Sequence, residues 1–311
     1  MAEPHISVLT CTYNGATSIA PLLRSFLEQN VPGGLTSEIV LVDNNSRDGT
    51  VAVAERFALE NPGRITVLRE SQQGKSYALN RGLQSVRGEI CCVIDQDQLL
   101  PADYLAIVWN AFQREPATYF IAGRVLPLPQ QRLADWITTD HWSPLAICDY
   151  GAEAFTIDSL PLVCLIATAY RTAALRAAGG YSEVLGIRPG RMGSVEDEDL
   201  YERLVNQGKP GRYTPEILVY HRLDEARFRR SYHRRWHFGH GKYFSDWRSP
   251  AFEASSFSIF DVPGHVVRHA FRDLRKMVLQ AMKGSSEQAF VHELRLRFYL
   301  GYILRRWKLQ E

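Results

Sequence analysis

The sequence contains no CxxC pair, no internal repeat and no low-complexity segment. Its five cysteines, Cys11, Cys91, Cys92, Cys148 and Cys164, are odd in number, and two are adjacent in an apolar run. That spacing excludes a zinc ribbon and argues against a disulfide framework. Buried thiols in a reducing compartment are the simplest account. No uninterrupted apolar run reaches the roughly 18 to 20 residues of a bilayer span. No basic stretch followed by an apolar one opens the sequence, so a cytoplasmic protein is expected. Charge of one sign is also scarce overall, at a net +2. The balance conceals an asymmetry, because residues 1–221 carry 18 Lys/Arg and 25 Asp/Glu while residues 222–311 carry 18 and 9. An acidic front is joined to a basic tail.

What is present is an ordinary globular composition, 311 residues with 45% hydrophobic and 23% charged. That is enough for one large domain with an extension, or for two modest domains. The first hundred residues alternate short β-branched runs with longer segments of helical spacing. Residues 6–10, 39–42, 65–68 and 90–94 read as strands. Ile19, Leu22, Leu23, Phe26 and Leu27 form a helical stripe, a second helix starts near Thr50, and Ala78, Leu79, Gly82, Leu83 and Val86 form a third helical face. The expectation is an α/β protein with a Rossmann-like, mostly parallel sheet flanked by helices. Beyond residue 120 the pattern is irregular. Helix returns at 196–206 with Gly208 as its terminator, a strand-like run covers 217–220, and two amphipathic helical patterns close the chain at 262–283 and 286–308.

In such sheets ligands bind beyond the carboxyl ends of the strands. Three polar clusters fall there: Thr12-Tyr13-Asn14, Asp43-Asn44-Asn45-Ser46 and Asp95-Gln96-Asp97. Asp95 and Asp97, just after a buried strand, offer hard oxygen ligands to Mn2+ or Mg2+, and a nucleotide diphosphate would supply the remaining oxygens. Acidic residues also begin turns, so the pair alone leaves a structural role open.

Taken in order, Thr12-Tyr13-Asn14, the run from Asp43 to Thr50, Gly74-Lys75-Ser76-Tyr77-Ala78-Leu79-Asn80-Arg81-Gly82-Leu83, Asp95-Gln96-Asp97 and Glu196-Asp197-Glu198-Asp199-Leu200 resemble family 2 glycosyltransferases of the GT-A fold. The resemblance covers about residues 5–221. It implies a GT-A catalytic domain over 1–225 and a basic, aromatic-rich helical extension over 226–311. It further implies a metal-assisted, inverting transferase that takes a sugar from a nucleotide-sugar donor, UDP-sugars favoured, to a hydroxyl of a glycan, lipid-linked or small-molecule acceptor. Thr12, Tyr13 and Asn14 would then line the nucleotide pocket, with Asp43 on the base and Asn45 and Ser46 beside it. Lys75 would close over the nucleotide, with Asn80 on the same segment. Asp95 and Gln96 would face the donor, and Asp95, Asp97 and His221 would form the metal set, Asp97 being the direct ligand and Asp95 also free to reach the ribose. Asp197 would be the base, positioned by Glu196 or Asp199. Such a base, with no protein nucleophile, means direct displacement. Each motif also has a plainer reading: 43–50 as an Asx-turn and helix cap, and 196–199 as acids favoured at a helix start by ~0.3–1 kcal/mol.

Residues 227–248 interleave Arg227, Arg229, Arg230, Arg234, Arg235, Lys242 and Arg248 with Tyr232, Trp236, Phe238, Tyr243 and Trp247. Four uses are open: binding acceptor or diphosphate, resting on an anionic membrane, binding nucleic acid, or packing as an amphipathic helix. Peripheral contact with the inner face of the cell membrane through 227–311 would suit a lipid-linked acceptor, and the apolar final helix also suits a homodimer. The acidic front argues against an extended nucleic-acid surface. Two other functions stand beside the transferase: a nucleotide- or nucleic-acid-binding module using the tail, and a sugar nucleotidyltransferase, which releases pyrophosphate.

Overall fold

Alternate side chains of the first strand are buried in different layers: Ile6 and Val8 join one apolar cluster, and Leu9 joins another. A strand apolar on both faces needs cover on both, which is the physical reason this sequence folds in three layers. In the computed structural model, residues 3–159, 165–188 and 190–307 are described; Cys164 and Lys308 lie outside them. The chain forms two compact units, the first comprising Met1–Gln131, Ala146–Glu183 and Leu200–Leu223, the second Arg132–Leu145, Val184–Asp199 and Asp224–Glu311.

The first unit runs β1 (Ile6–Thr12), α1 (Ile19–Leu27), β2 (Ser37–Asp43), α2 (Thr50–Glu60), β3 (Ile65–Arg69), α3 (Lys75–Leu83), β4 (Ile90–Val93), β5 (Gln98–Leu99), α4 (Tyr104–Arg114), β6 (Phe120–Pro127), β7 (Phe155–Ile157), β8 (Ala169–Arg171) and α5 (Thr172–Ala177). Helix α6 (Glu196–Asn206) follows, its residues from Leu200 onward belonging to this unit, and then β9 (Gly211–His221). The strands form one sheet in the order β3-β2-β1-β4-β8-β6-β9-β5, with β7 also paired to β9. Strands β3, β2, β1 and β4 are parallel, as the alternating apolar runs predict. Strand β8 is antiparallel to both β4 and β6, and β6 is parallel to β9. On one face Leu22, Leu23 and Phe26 of α1, Phe57 of α2 and Leu105, Val108 and Phe112 of α4 are buried. On the other are Leu79 and Leu83 of α3, Leu175 of α5 and Leu200, Tyr201 and Leu204 of α6. Each such burial is worth about 1.5–3 kcal/mol relative to exposure. Gly208, at φ 70°, ends α6 as its position suggests.

The second unit is helical: α7 (Arg230–Trp247), α8 (Pro250–Glu253), a hairpin of β10 (Ser258–Ile259) and β11 (Val262–Pro263), α9 (Gly264–Met282) and α10 (Ser286–Arg306). Helices α7 and α10 cross backbone against backbone. A Cβ on Gly241 would overlap the carbonyl oxygen of Phe298, and one on Gly301 that of Phe238. Only glycine permits that approach. Around the crossing, Trp136 stacks edge-on to His141, His233 and Phe290. Ion pairs join Arg234 and Arg297 to Glu293, Arg295 to Asp140 and Arg305 to Asp246. Among the described residues, no helix is long and apolar enough to cross a membrane.

Candidate active site

The carboxyl ends of β1, β2, β4 and β9 gather the polar clusters of the first unit. After β1 the chain turns through Asn14 at φ 49°, a backbone state asparagine tolerates better than most residues. Its turn is locked to the loop after β2. Asn14 N–H donates to Ser46 Oγ at 2.9 Å, and Arg47 N–H donates to Asn14 Oδ1 at 2.9 Å. Thr12 Oγ1 donates to Gln96 Oε1 at 2.5 Å, and that same oxygen accepts from Tyr13 N–H at 3.1 Å. Thr12, Tyr13, Asn14, Ser46 and Gln96 therefore belong to one lattice of hydrogen bonds, leaving the Tyr13 ring exposed.

Asp43, 3% exposed, accepts from Ser46 N–H through Oδ2 at 3.2 Å. Its Oδ1 is buried with no hydrogen-bond partner among the described residues. A buried carboxylate oxygen left without a donor is costly unless a ligand supplies one. Asn45, at φ 67°, donates from Nδ2 to Gln73 Oε1 at 3.4 Å. Between them Asn44 faces inward. Its amide donates to the carbonyls of Glu70 and Gln72 and accepts from Gly74 N–H at 2.7 Å. Gly74, at φ 145°, then admits the chain into α3 with Lys75 as its first residue. Sequence reasoning did not single out Asn44, whose partners lie about 30 residues away; only its place inside the 43–46 cluster hints at it.

Lys75 Nζ lies 2.7 Å from Asp95 Oδ1, both side chains partly buried. Asp97 is aligned by pairing of β5 with the end of β9, in which Gln98 faces His221. Its carbonyl accepts from Arg222 N–H at 2.9 Å, and its Oδ2 lies 3.2 Å from His221 Nε2. That approach lacks hydrogen-bond alignment. Both ring nitrogens of His221, 2% exposed, are without a hydrogen-bond partner among the described residues. Two donor atoms each about 2.1 Å from one divalent ion, at right angles, lie about 3 Å apart. An orphaned imidazole nitrogen beside a carboxylate oxygen therefore fits a cation, and Asp97 with His221 would hold it. Among the described residues, no group of three or more His, Cys, Asp and Glu side chains is arranged to hold a metal. The expected trio of Asp95, Asp97 and His221 is thus divided, because Asp95 is turned to Lys75.

Asn80 departs from expectation. Its Nδ2 donates to Tyr181 carbonyl and its Oδ1 accepts from Tyr181 N–H, both at 2.9 Å. An amide clamped twice to backbone braces the loop after α5 rather than reaching for a nucleotide.

Glu196 and Asp197 begin α6, and their turn, through Asp199, belongs to the second unit. Glu196 is buried, Asp197 is half-buried, and Asp199 Oδ1 accepts from Trp247 Nε1 at 3.2 Å. The second unit also contains a cavity of about 280 Å³ whose lining includes Arg191, Arg235, Lys242 and Arg305 against one acid, Asp246. Its charge suits an anion. Three histidines of α7 are held neutral by burial, His233 and His240 each pushed down to about 4, and His237, with His240 beside it, to about 3.

Residues 7–160 match the sequence model of Glycosyl transferase family 2. Over these residues the chain belongs to glycosyltransferase family 2. This glycosyltransferase is 37% identical over 115 residues to a beta-monoglucosyldiacylglycerol synthase of Trichormus variabilis, an alignment covering 36% of this chain and 24% of the relative. It is 26% identical over 168 residues to a cholesterol galactosyltransferase of Borreliella burgdorferi, covering 50% of this chain and 46% of the relative. The chain thus spans less than half the length of either. In fold it is similar to mannosyltransferase PcManGT from Pyrobaculum calidifontis, solved with GDP-Man and Mn2+, at TM-score 0.60 and 18% identity, covering 99% of this chain and 89% of that one. It is also similar to S. aureus TarS residues 1–349 in complex with UDP-GlcNAc, at TM-score 0.52 and 16% identity, covering 93% and 90%. The architecture is GT-A.

Proposed function

We propose that this glycosyltransferase moves one sugar from a nucleotide diphosphate sugar, UDP-sugars preferred, to a hydroxyl of a glycan, a lipid or lipid-linked molecule, or a small molecule, with inversion at the anomeric carbon. The observation that carries the reading is the meeting of Asp97 with the orphaned imidazole of His221, in the unit whose Thr12–Asn14 turn is tied to Gln96 and whose Lys75 is paired to Asp95. Asp97 and His221 would hold Mn2+ or Mg2+, which supplies positive charge to the departing diphosphate. Lys75 adds a second cation, and its pairing with Asp95 holds it at the strand ends until a phosphate competes.

The unpartnered Oδ1 of Asp43 supports a uracil donor. Uracil offers one imide N–H to a single acceptor, whereas guanine presents a pair of donors and Asp43 Oδ2 already accepts from Ser46. Asp197 acts as base: it takes the acceptor hydroxyl proton as the new C–O bond forms and the bond to the diphosphate breaks. Glu196, buried beside it in sequence, positions it. The domain over 1–225 carries the donor chemistry and the extension over 226–311 serves the acceptor side. A lipid acceptor is supported by the names of two relatives, one a glucosyldiacylglycerol synthase and one a cholesterol galactosyltransferase. The buried thiols of Cys91 and Cys92 suit a cytoplasmic location.

A thermal-shift screen of nucleotide sugars with and without Mn2+ tests the donor. A UDP-sugar should raise the melting temperature only when metal is present, and turnover should release nucleoside diphosphate. No shift with any nucleotide sugar would end the reading, and release of pyrophosphate would replace it with a nucleotidyltransferase.

A further inference from the structure

The outward side of α9 bears more apolar surface than a solvated helix needs. Phe271 and Met282 are 70% and 79% exposed, and Leu274, Val278 and Leu279 are exposed between them. Positions 271, 274, 278 and 282 recur at helical spacing and share one stripe. A single exposed apolar residue is unremarked in any protein, but a row of large ones along one helix marks a contact surface. The charged residues interspersed with the row are Arg268, Arg272, Arg275, Lys276 and Lys283, all cations. The one acid between positions 264 and 285, Asp273, is fully buried, 2.7 Å from Arg272 Nη2 and 2.8 Å from His292 Nδ1. That pairing leaves Arg268, Arg275 and Lys276 of the helix, with Lys283 just past its end, to act outward.

We propose that this side of α9 lies on an anionic lipid bilayer, with the apolar stripe entering the acyl boundary and the cations at headgroup phosphates. Charge complementarity selects that occupant. A second copy of the chain would set the same cations against one another, and a nucleic acid would leave Phe271, Leu274, Val278 and Met282 in water. The inference does not rest on the transferase reading, because vesicle binding, the readout that decides it, involves no donor and can fail or succeed independently of donor binding.

Co-sedimentation of the full chain with vesicles decides it. Phosphatidylcholine vesicles containing phosphatidylglycerol should bind the protein, less so as salt rises, and pure phosphatidylcholine should bind it far more weakly. Phe271→Ser with Met282→Ser should weaken binding by about tenfold for each side chain, and Arg275→Gln with Lys276→Gln by about fivefold for each charge. All four positions are outward on the helix, so circular dichroism and nucleotide-sugar binding should match the parent. Three results would overturn the proposal: no binding to the anionic vesicles, binding unchanged in both variants, or self-association in sedimentation velocity that the serine variant abolishes while vesicles are ignored.

Discussion

At Asp43 one carboxylate oxygen is satisfied and the other is buried without a partner. Replacing that oxygen by an amide tests whether a base N–H belongs there. Asp43→Asn keeps shape and volume but loses charge, and its amide can turn a donor toward the imide. The Michaelis constant for the donor should rise about tenfold with kcat little changed, because the contact is made in ground and transition states alike. An unchanged constant would return Asp43 to a purely structural Asx-turn. The neighbouring Asn44 shows how little of this scale was legible in advance. Its residue type suggested a turn, yet its amide holds the entrance to α3 across 30 positions of sequence, and no local pattern encodes a partner so distant. Asn80 misled for the same reason: it sits inside a recognisable motif, while Tyr181, which fixes its role, is 101 positions away.

Among elements, β1 to β4 were readable because parallel strands buried on both faces are continuous apolar runs. Strands β6, β7 and β8 were not. Strand β8 is three residues long and is held by β4 and β6, so its existence depends on pairing rather than on period. Helix α7 was legible only as one of four open uses of 227–248, that of a packed amphipathic helix; Gly241 and His240 lie against α10 and His233 against the aromatic cluster. Gly301→Ala should therefore destabilise the second unit by about 1–3 kcal/mol through overlap with Phe238, seen as a lower midpoint in thermal unfolding. A midpoint equal to the parent's would mean the helices separate at little cost. The same crossing predicts a pH dependence. His233, His237 and His240 stay neutral in the fold down to about 4, about 3 and about 4, whereas the unfolded chain takes up protons near 6.5. The unfolded state thus binds more protons between those values, so stability is complete above pH 6.5 and is lost as pH falls toward 4. Urea midpoints at a series of pH values check the sign; a midpoint rising as acid is added would contradict the burial of these rings.

For the whole molecule, the division into an acidic front and a basic tail was plain from composition, but its meaning was not. Several tail arginines are neutralised within the second unit, by Glu293, Asp140 and Asp246, so composition overstated the charge offered to partners. On α9, however, Arg268, Arg275 and Lys276 are exposed. The gathering of polar clusters at the strand ends of the first unit, by contrast, could be anticipated, because Thr12–Asn14, Asp43–Ser46 and Asp95–Asp97 each follow a strand of its parallel part. The central claim is that Asp97, beside His221, holds a divalent ion against the donor diphosphate. Its most direct measurement is release of nucleoside diphosphate from a nucleotide sugar by the purified chain and by Asp97→Asn, each with and without Mn2+. The account predicts metal-dependent release by the parent and a loss of about 10²–10³-fold in the variant, whose thermal midpoint stays close to the parent's. Equal, metal-independent release by both proteins would contradict it.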